Sequence, residues 1–170
     1  MRLSIESPAT AGGTELHFQR IDGVLATCVG YTQGDVDEPT YDQVCSGGTS
    51  HTEACQLSYD PQVVSYRMLC EALFRTIDPT LRDRVGKDCG TQYRHGIYAH
   101  SSEQLEVART FVAEAQRKLP RRKRIVTEVR SAVVFWPAEE GHQQYLQRGG
   151  RHGRAQSAAK GCSERVRCYG

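Results

Sequence analysis

Four short polar clusters hold most of the side chains able to do chemistry in this chain of 170 residues. The first is Pro39-Thr40-Tyr41-Asp42-Gln43-Val44-Cys45-Ser46-Gly47, and the second is His51-Thr52-Glu53, just ahead of a strand pattern. The third is Gly86-Lys87-Asp88-Cys89-Gly90-Thr91-Gln92-Tyr93-Arg94, and the fourth runs from Phe135 to Tyr145. Together they supply a carboxylic acid, two phenols and a carboxylate, which is what a site that removes an oxygen atom needs. A partly buried Glu53 is expected to have its pKa raised by desolvation and so to keep a proton to donate. Taken one at a time, a Tyr or Asp beside a strand is more often a hydrogen-bonded structural group than a catalyst, and a Glu before a strand is usually solvated. The reading rests on the set.

Sulfur is the second resource. Seven cysteines are many for a chain whose start, Met1 to Ala11, lacks the basic and apolar regions of a secretory signal. None are spaced as CxxC pairs, so no zinc site is expected, and no other metal or cofactor is implied. An odd number leaves at least one thiol unpaired, which favours intracellular redox chemistry over a structural disulfide framework. A cytoplasmic location is expected, or a plastid one if a leading segment is missing. The net charge of +2 is too small to imply a nucleic acid or membrane partner. No apolar run reaches membrane-spanning length. The basic stretches Arg121 to Arg124 and Arg148 to Arg154 (RGGRHGR) offer a rival RNA-binding reading. They occur once each and fit a solvated loop and tail better.

The elements that must position these groups alternate helix and strand. A short helix is expected over Thr14 to Arg20, entered through Gly12-Gly13, and a buried strand over Val24 to Tyr31. A long loop from Thr32 to His51 carries one helical turn near Tyr41 to Cys45. A strand over Ala54 to Tyr59 ends at Asp60-Pro61. A helix from Val64 to Ile77 follows, with Tyr66, Leu69, Leu73 and Phe74 at helical spacing. A polar loop spans Leu81 to Gln92, and a strand Tyr93 to His100. Ser101 to Leu119 is the clearest helix: Ser101 and Gln104 predict a capping box, and Leu105, Ala108, Phe111, Val112 and Ala115 an apolar stripe. Ile125 to Val129 is a further strand, extended or followed by Ala132 to Trp136. Gly149 to Gly170 is rich in Gly, Arg and Ser and reads as a flexible tail carrying Cys162 and Cys168. The expected fold is α/β (α+β): a two-layer sandwich with a ferredoxin-like core, a mixed sheet and long loops. One domain over 1–148 and the tail over 149–170 account for the chain, expected as a monomer.

Nine segments in order, VGYTQG (29–34), PTYDQVCSG (39–47), HTE (51–53), SYDP (58–61), DPT (78–80), GTQYR (90–94), IVTE (125–128), PAEE (137–140) and HQQYL (142–146), resemble the A-type peptide methionine sulfoxide reductases. The tail KGCSERVRCYG (160–170) resembles the resolving-cysteine tail of plant and algal members. The resemblance covers about residues 13 to 170 and implies reduction of methionine-S-sulfoxide, free or in oxidised proteins, with thioredoxin as reductant. It implies a thiolate that attacks the sulfoxide sulfur, a sulfenic acid left on that cysteine, and a resolving cysteine that closes a disulfide. Glu53 is then the proton donor, Tyr41 and Tyr93 bond the sulfoxide oxygen, Asp88 orders the site, and Cys162 and Cys168 recycle it.

One motif is missing. The family places Gly-Cys-Phe-Trp-Gly, following a core strand, at the start of the first helix. Here the residues are Thr10-Ala11-Gly12-Gly13, with Thr10 where the cysteine belongs. A threonine has neither the acidity of a thiol at a helix N-terminus nor its redox ladder. The Phe and Trp that would hold the substrate methyl group are absent too. Leu3 to Ala9 are poor strand material, so the preceding strand is expected to be absent. The chain as written is expected to be inactive or nearly so, as an incomplete product or an inactive relative that binds sulfoxide or thioredoxin. Cys45 and Cys89 are the candidates for a substitute nucleophile. A redox-regulated binding module is the alternative to an enzyme.

Overall fold

A computed structural model describes residues 1–6, 10–85 and 88–167. In chain order the elements are β1 (Arg2–Glu6), α1 (Thr10–Gln19), β2 (Val24–Thr32), α2 (Tyr41–Cys45), β3 (Thr52–Tyr59), α3 (Tyr66–Thr76), β4 (Arg84–Val85), β5 (Asp88–Cys89), β6 (Gly96–Ala99), α4 (Ser102–Lys118), β7 (Glu128–Ser131) and β8 (Phe135–Pro137). Short 3-10 turns cover Thr91–Tyr93, Glu140–His142 and Gly150–His152.

The main sheet has the order β7-β6-β1-β3-β2-β8. Its four central strands, β6-β1-β3-β2, are antiparallel neighbours, whereas β7 joins β6 in parallel. The sheet is therefore mixed. The crossovers α1 (β1 to β2) and α3 (β3 to β6) give the strand order of a ferredoxin-like core, as expected. Helices α1, α3 and α4 touch in series and cover the sheet. Between the layers lie Phe18 of α1, Leu69, Cys70 and Leu73 of α3, Ala108 and Phe111 of α4, and Leu57, Tyr59 and Ile97 of the sheet. Each large apolar side chain buried there contributes roughly 1.5–3 kcal/mol.

Four departures from the sequence reading have physical causes. Arg2–Glu6, expected to be too poor for a strand, occupies the centre of the sheet between β3 and β6. A strand with ladders on both sides has its main-chain groups satisfied whatever its side chains are. Helix α1 begins at Thr10 rather than Thr14, so Gly12 and Gly13 lie inside it. A Cβ on Gly12 would come within 3.2 Å of the Tyr145 Cβ, so a small residue allows this close approach. The polar loop after α3 contains the short β4–β5 hairpin, whose two-residue strands are too short to show any periodicity. At α4, Ser101 accepts from the Gln104 N–H (3.2 Å), but the Gln104 carboxamide oxygen accepts from His100 N–H (2.8 Å). That carboxamide also donates to the Tyr59 phenol (3.4 Å), so Gln104 is buried where the apolar stripe put Leu105.

The segment read as a flexible tail is bonded along α1. Arg20 donates through Nε to the Ser157 carbonyl (2.8 Å) and through Nη1 to the Glu164 carbonyl. The Lys160 ammonium donates to the carbonyls of Gln19 (2.7 Å), Ile21 (2.9 Å) and Val24 (2.6 Å), closing off the C-terminal end of α1. Among the described residues, no helix is long and apolar enough to cross a membrane.

Candidate active site

Where the C-terminal part of β2 pairs with the start of β3, a cavity of about 280 Å³ opens beside the first turn of α1. Tyr41, Glu53, Asp88 and Tyr93, from four separate segments, all line it. Gly12, Tyr31, His142 and Tyr145 complete the walls used here. Glu53 stands opposite Tyr31 in the β2–β3 register and is only 7% exposed.

The Tyr41 side is fixed by a local device and a distant one. Thr40 caps α2 with a full capping box: its hydroxyl accepts from Gln43 N–H (3.4 Å), and the Gln43 side chain accepts from Thr40 N–H (2.9 Å). The Tyr41 N–H then donates to Glu139 Oε1 at 2.8 Å. The other oxygen of Glu139 accepts from the Tyr31 phenol, also at 2.8 Å. One carboxylate thus ties β2 to α2. Burial works against its charge, but bonds from its own main chain, from Tyr41 N–H and from the Tyr31 phenol outweigh burial and hold its pKa below the ordinary value. The Tyr41 ring lies on His142, centroids 4.5 Å apart and tilted by 30°.

Glutamine and arginine do the rest of the bracing. Gln143 pairs with both main-chain groups of Val29, accepting from its N–H (2.9 Å) and donating to its carbonyl (2.8 Å), as a neighbouring strand would. Gln92 donates to the Cys45 carbonyl at 3.3 Å, linking α2 to the turn that carries Tyr93. Arg94 is the principal clamp. Its guanidinium donates to the carbonyls of Ser50 (2.9 Å), Thr91 (2.9 Å), His51 (3.3 Å) and Gln33 (3.4 Å), and its Nε lies 3.5 Å from Glu128 Oε2. Those acceptors flank Glu53 on one side and Tyr93 on the other. Gly30, in the cavity wall, lets β8 pack closely against β2, because a Cβ there would collide with the Trp136 carbonyl oxygen and the Phe135 ring.

Tyr41, Glu53 and Tyr93, expected to act on a substrate oxygen, and Asp88, expected to order the site, all share this cavity. Glu139, Tyr31, Gln143 and Arg94 had no assigned part. Glu139 and Arg94 sit inside the quoted clusters, but their partners are distant in sequence and leave no local pattern.

The cysteines are placed differently. Cys45 is bonded to the Tyr41 phenol, and its thiol is pushed up by burial and by the charges of Glu53, Asp42 and Glu139, against the lowering effect of that bond. The Tyr41 phenol is itself held well above its ordinary value, first by the bond to Cys45 and then by burial. Cys89 is exposed on β5 and is not part of the cavity lining. Cys162 lines a second cavity whose wall includes Gly13 and Thr14, the residues that follow Gly12 in α1. Cys168 lies outside the described residues. Among the described residues, no group of three His, Cys, Asp or Glu is arranged to hold a metal ion.

Residues 12–167 match the family model described as peptide methionine sulfoxide reductase. The chain belongs to that family. Peptide methionine sulfoxide reductase A3 of Arabidopsis thaliana is 48% identical over 158 residues, spanning 93% of this chain and 77% of that protein. A peptide methionine sulfoxide reductase of Brassica napus is 49% identical, again over 93% of this chain but only 61% of its own length. Among solved structures, methionine sulfoxide reductase A of Corynebacterium diphtheriae superposes with a TM-score of 0.82 at 34% identity, covering 87% of this chain and 74% of that one. Reduced Mxr1 from Saccharomyces cerevisiae gives 0.81 at 32% identity, covering 88% and 85%. In a peptide methionine sulfoxide reductase, the turn that starts α1 is the expected place of the attacking cysteine. Here that turn holds Thr10, Ala11 and Gly12, with Gly12 in the cavity wall.

Proposed function

We propose that this chain binds methionine-S-sulfoxide, free or in oxidised proteins, in the cavity between β2, β3 and α1, and that as written it turns the substrate over slowly or not at all. The convergence of Tyr41, Glu53, Asp88 and Tyr93 on one cavity at the start of α1 carries this reading. The phenols of Tyr41 and Tyr93 bond the sulfoxide oxygen, Glu53 protonates it, and Asp88 orders the site. Reduction also needs a thiolate to attack sulfur, and the first turn of α1 supplies none. Cys45 is a poor substitute, because burial first, and then the carboxylates beside it, favour the thiol over the thiolate. Cys89 does not line the cavity.

The tail takes the recycling role in this reading. Cys162 sits one cavity away from the substrate site across the first turn of α1, and with Cys168 it forms the pair that would resolve a sulfenic acid on a cysteine in that turn and pass a disulfide to thioredoxin. The tail leaves its docked position to do so. Yeast Mxr1 has also been solved in complex with Trx2, which supports thioredoxin as the partner class.

Two measurements on the purified chain test the proposal. Methionine-S-sulfoxide binding is followed by calorimetry, and its reduction is followed with dithiothreitol as electron source, which bypasses the tail. Saturable binding of the S epimer without turnover is the expected result. Turnover at a rate usual for an enzyme would instead identify another cysteine as nucleophile, and an absence of binding would remove the sulfoxide assignment.

A further inference from the structure

The second cavity, about 700 Å³ in volume, lies between α1, the end of α3 and residues 161–166. It shares no lining residue with the sulfoxide cavity. Its charged lining consists of Arg20, Arg75 and Arg165 against the single carboxylate of Glu164, with His17 beside them. Arg20 is only 7% exposed. Two of its nitrogens are used on the tail carbonyls of Ser157 and Glu164, but Nη2 is buried with no acceptor among the described residues. A buried guanidinium nitrogen without an acceptor is unusual, because the desolvation of that donor is left uncompensated. The positive field is felt locally: burial first, and then the charges of Arg75 and Arg20, hold the His17 imidazole below its ordinary pKa.

We propose that this cavity is a binding site for a small oxyanion, a carboxylate or a phosphate group, anchored on Arg20 and flanked by Arg75 and Arg165. An oxyanion in the cavity balances the charge of the three lining guanidinium groups, and their planar forks suit its geometry. Because Arg20 holds the tail and the anion together, the bound anion sits beside Cys162 and across α1 from the sulfoxide site.

The site is tested on the full chain in low-chloride buffer, with inorganic phosphate and succinate titrated separately. Binding is followed by calorimetry and by the NMR shifts of the His17 ring. Saturable binding of either anion at millimolar concentration, with movement of the His17 signals, is expected. Both anions binding marks a general oxyanion site; one alone identifies the source as phosphate or carboxylate. Arg75 is exposed, so Arg75→Ala should fold normally and weaken binding about tenfold, with Arg165→Ala acting in the same direction. Arg20→Lys keeps the charge but removes the fork, and should weaken binding further. An absence of saturable binding, or binding that Arg75→Ala and Arg20→Lys leave unchanged, overturns the site.

Discussion

The two walls of the sulfoxide cavity are built to different standards. On the wall proposed to handle oxygen, the segments carrying Tyr41, Glu53 and Tyr93 are braced: Glu139 bonds Tyr31 and the Tyr41 main chain, Gln92 links α2 to the Tyr93 turn, and Arg94 gathers four carbonyls. The opposite wall, at the start of α1, offers Gly12. The bracing contacts run among β2, β3, α2, the Tyr93 turn and the 139–143 segment. None of them passes through the first turn of α1. Under the proposed function, the groups assigned to the sulfoxide oxygen are held independently of the place of the nucleophile, so the acid half of the site persists while the sulfur half is empty.

The largest expected effect comes from filling the empty wall. Thr10→Cys combined with Ala11→Phe, keeping Gly12 against Tyr145, should raise dithiothreitol-dependent reduction of methionine-S-sulfoxide by several orders of magnitude, on the scale of ~10⁶ for restoring a nucleophile. If the restored chain stays at the level of the original, the braced wall is not competent and the comparison breaks. In that restored background, Glu53→Gln should cost about 10²–10⁴ in kcat, the usual worth of a general acid. Loss confined to KM would reassign Glu53 to binding.

Arg94→Met sharpens the comparison from the structural side. It removes a clamp from four carbonyls and leaves Glu128 short of a partner, so chemical denaturation should show a loss of about 2–4 kcal/mol. Glu139→Gln keeps the shape but weakens the bonds to Tyr31 and Tyr41 N–H, and should cost about 1 kcal/mol. The smallest effect is one of pH. His17 has a folded pKa below its ordinary 6.5, so the folded state favours the neutral ring. Stability is full above pH 6.5 and is lost as pH falls through that value toward the lower folded pKa. His17→Gln should flatten part of the decline in Tm measured between neutral pH and about pH 5.

Legibility in the sequence followed the range of the interactions involved. Strand β2 was readable from its β-branched composition, and helices α3 and α4 because their apolar residues recur at the helical period, as with Tyr66, Leu69 and Leu73. Strand β1 was not, since its place is set by ladders to Leu57 and Ile97, which lie far along the chain. The start of α1 was hidden by Gly12-Gly13, a pair that reads as a breaker unless the close approach of Tyr145 is known. Tyr41, Glu53, Asp88 and Tyr93 each sit in a compact polar cluster at the edge of an element, and the family resemblance singled them out within those clusters. The Tyr31–Glu139 bond could not be picked out, as 108 residues separate two groups with no signal of their own. The docked contacts of the tail were hidden in the same way. They are charged groups meeting main-chain carbonyls, which composition does not display.

Those tail contacts also bear on how the molecule forms. Lys160 closes the end of α1 across 136 to 141 residues of chain. Contacts of such long range add to contact order, and their loop-closure entropy must be met before they stabilise anything. During synthesis the first helix emerges long before the ammonium that completes it, so α1 must wait with open carbonyls while the rest of the sheet assembles. The end of the first helix is thus among the last parts of the fold to become secure.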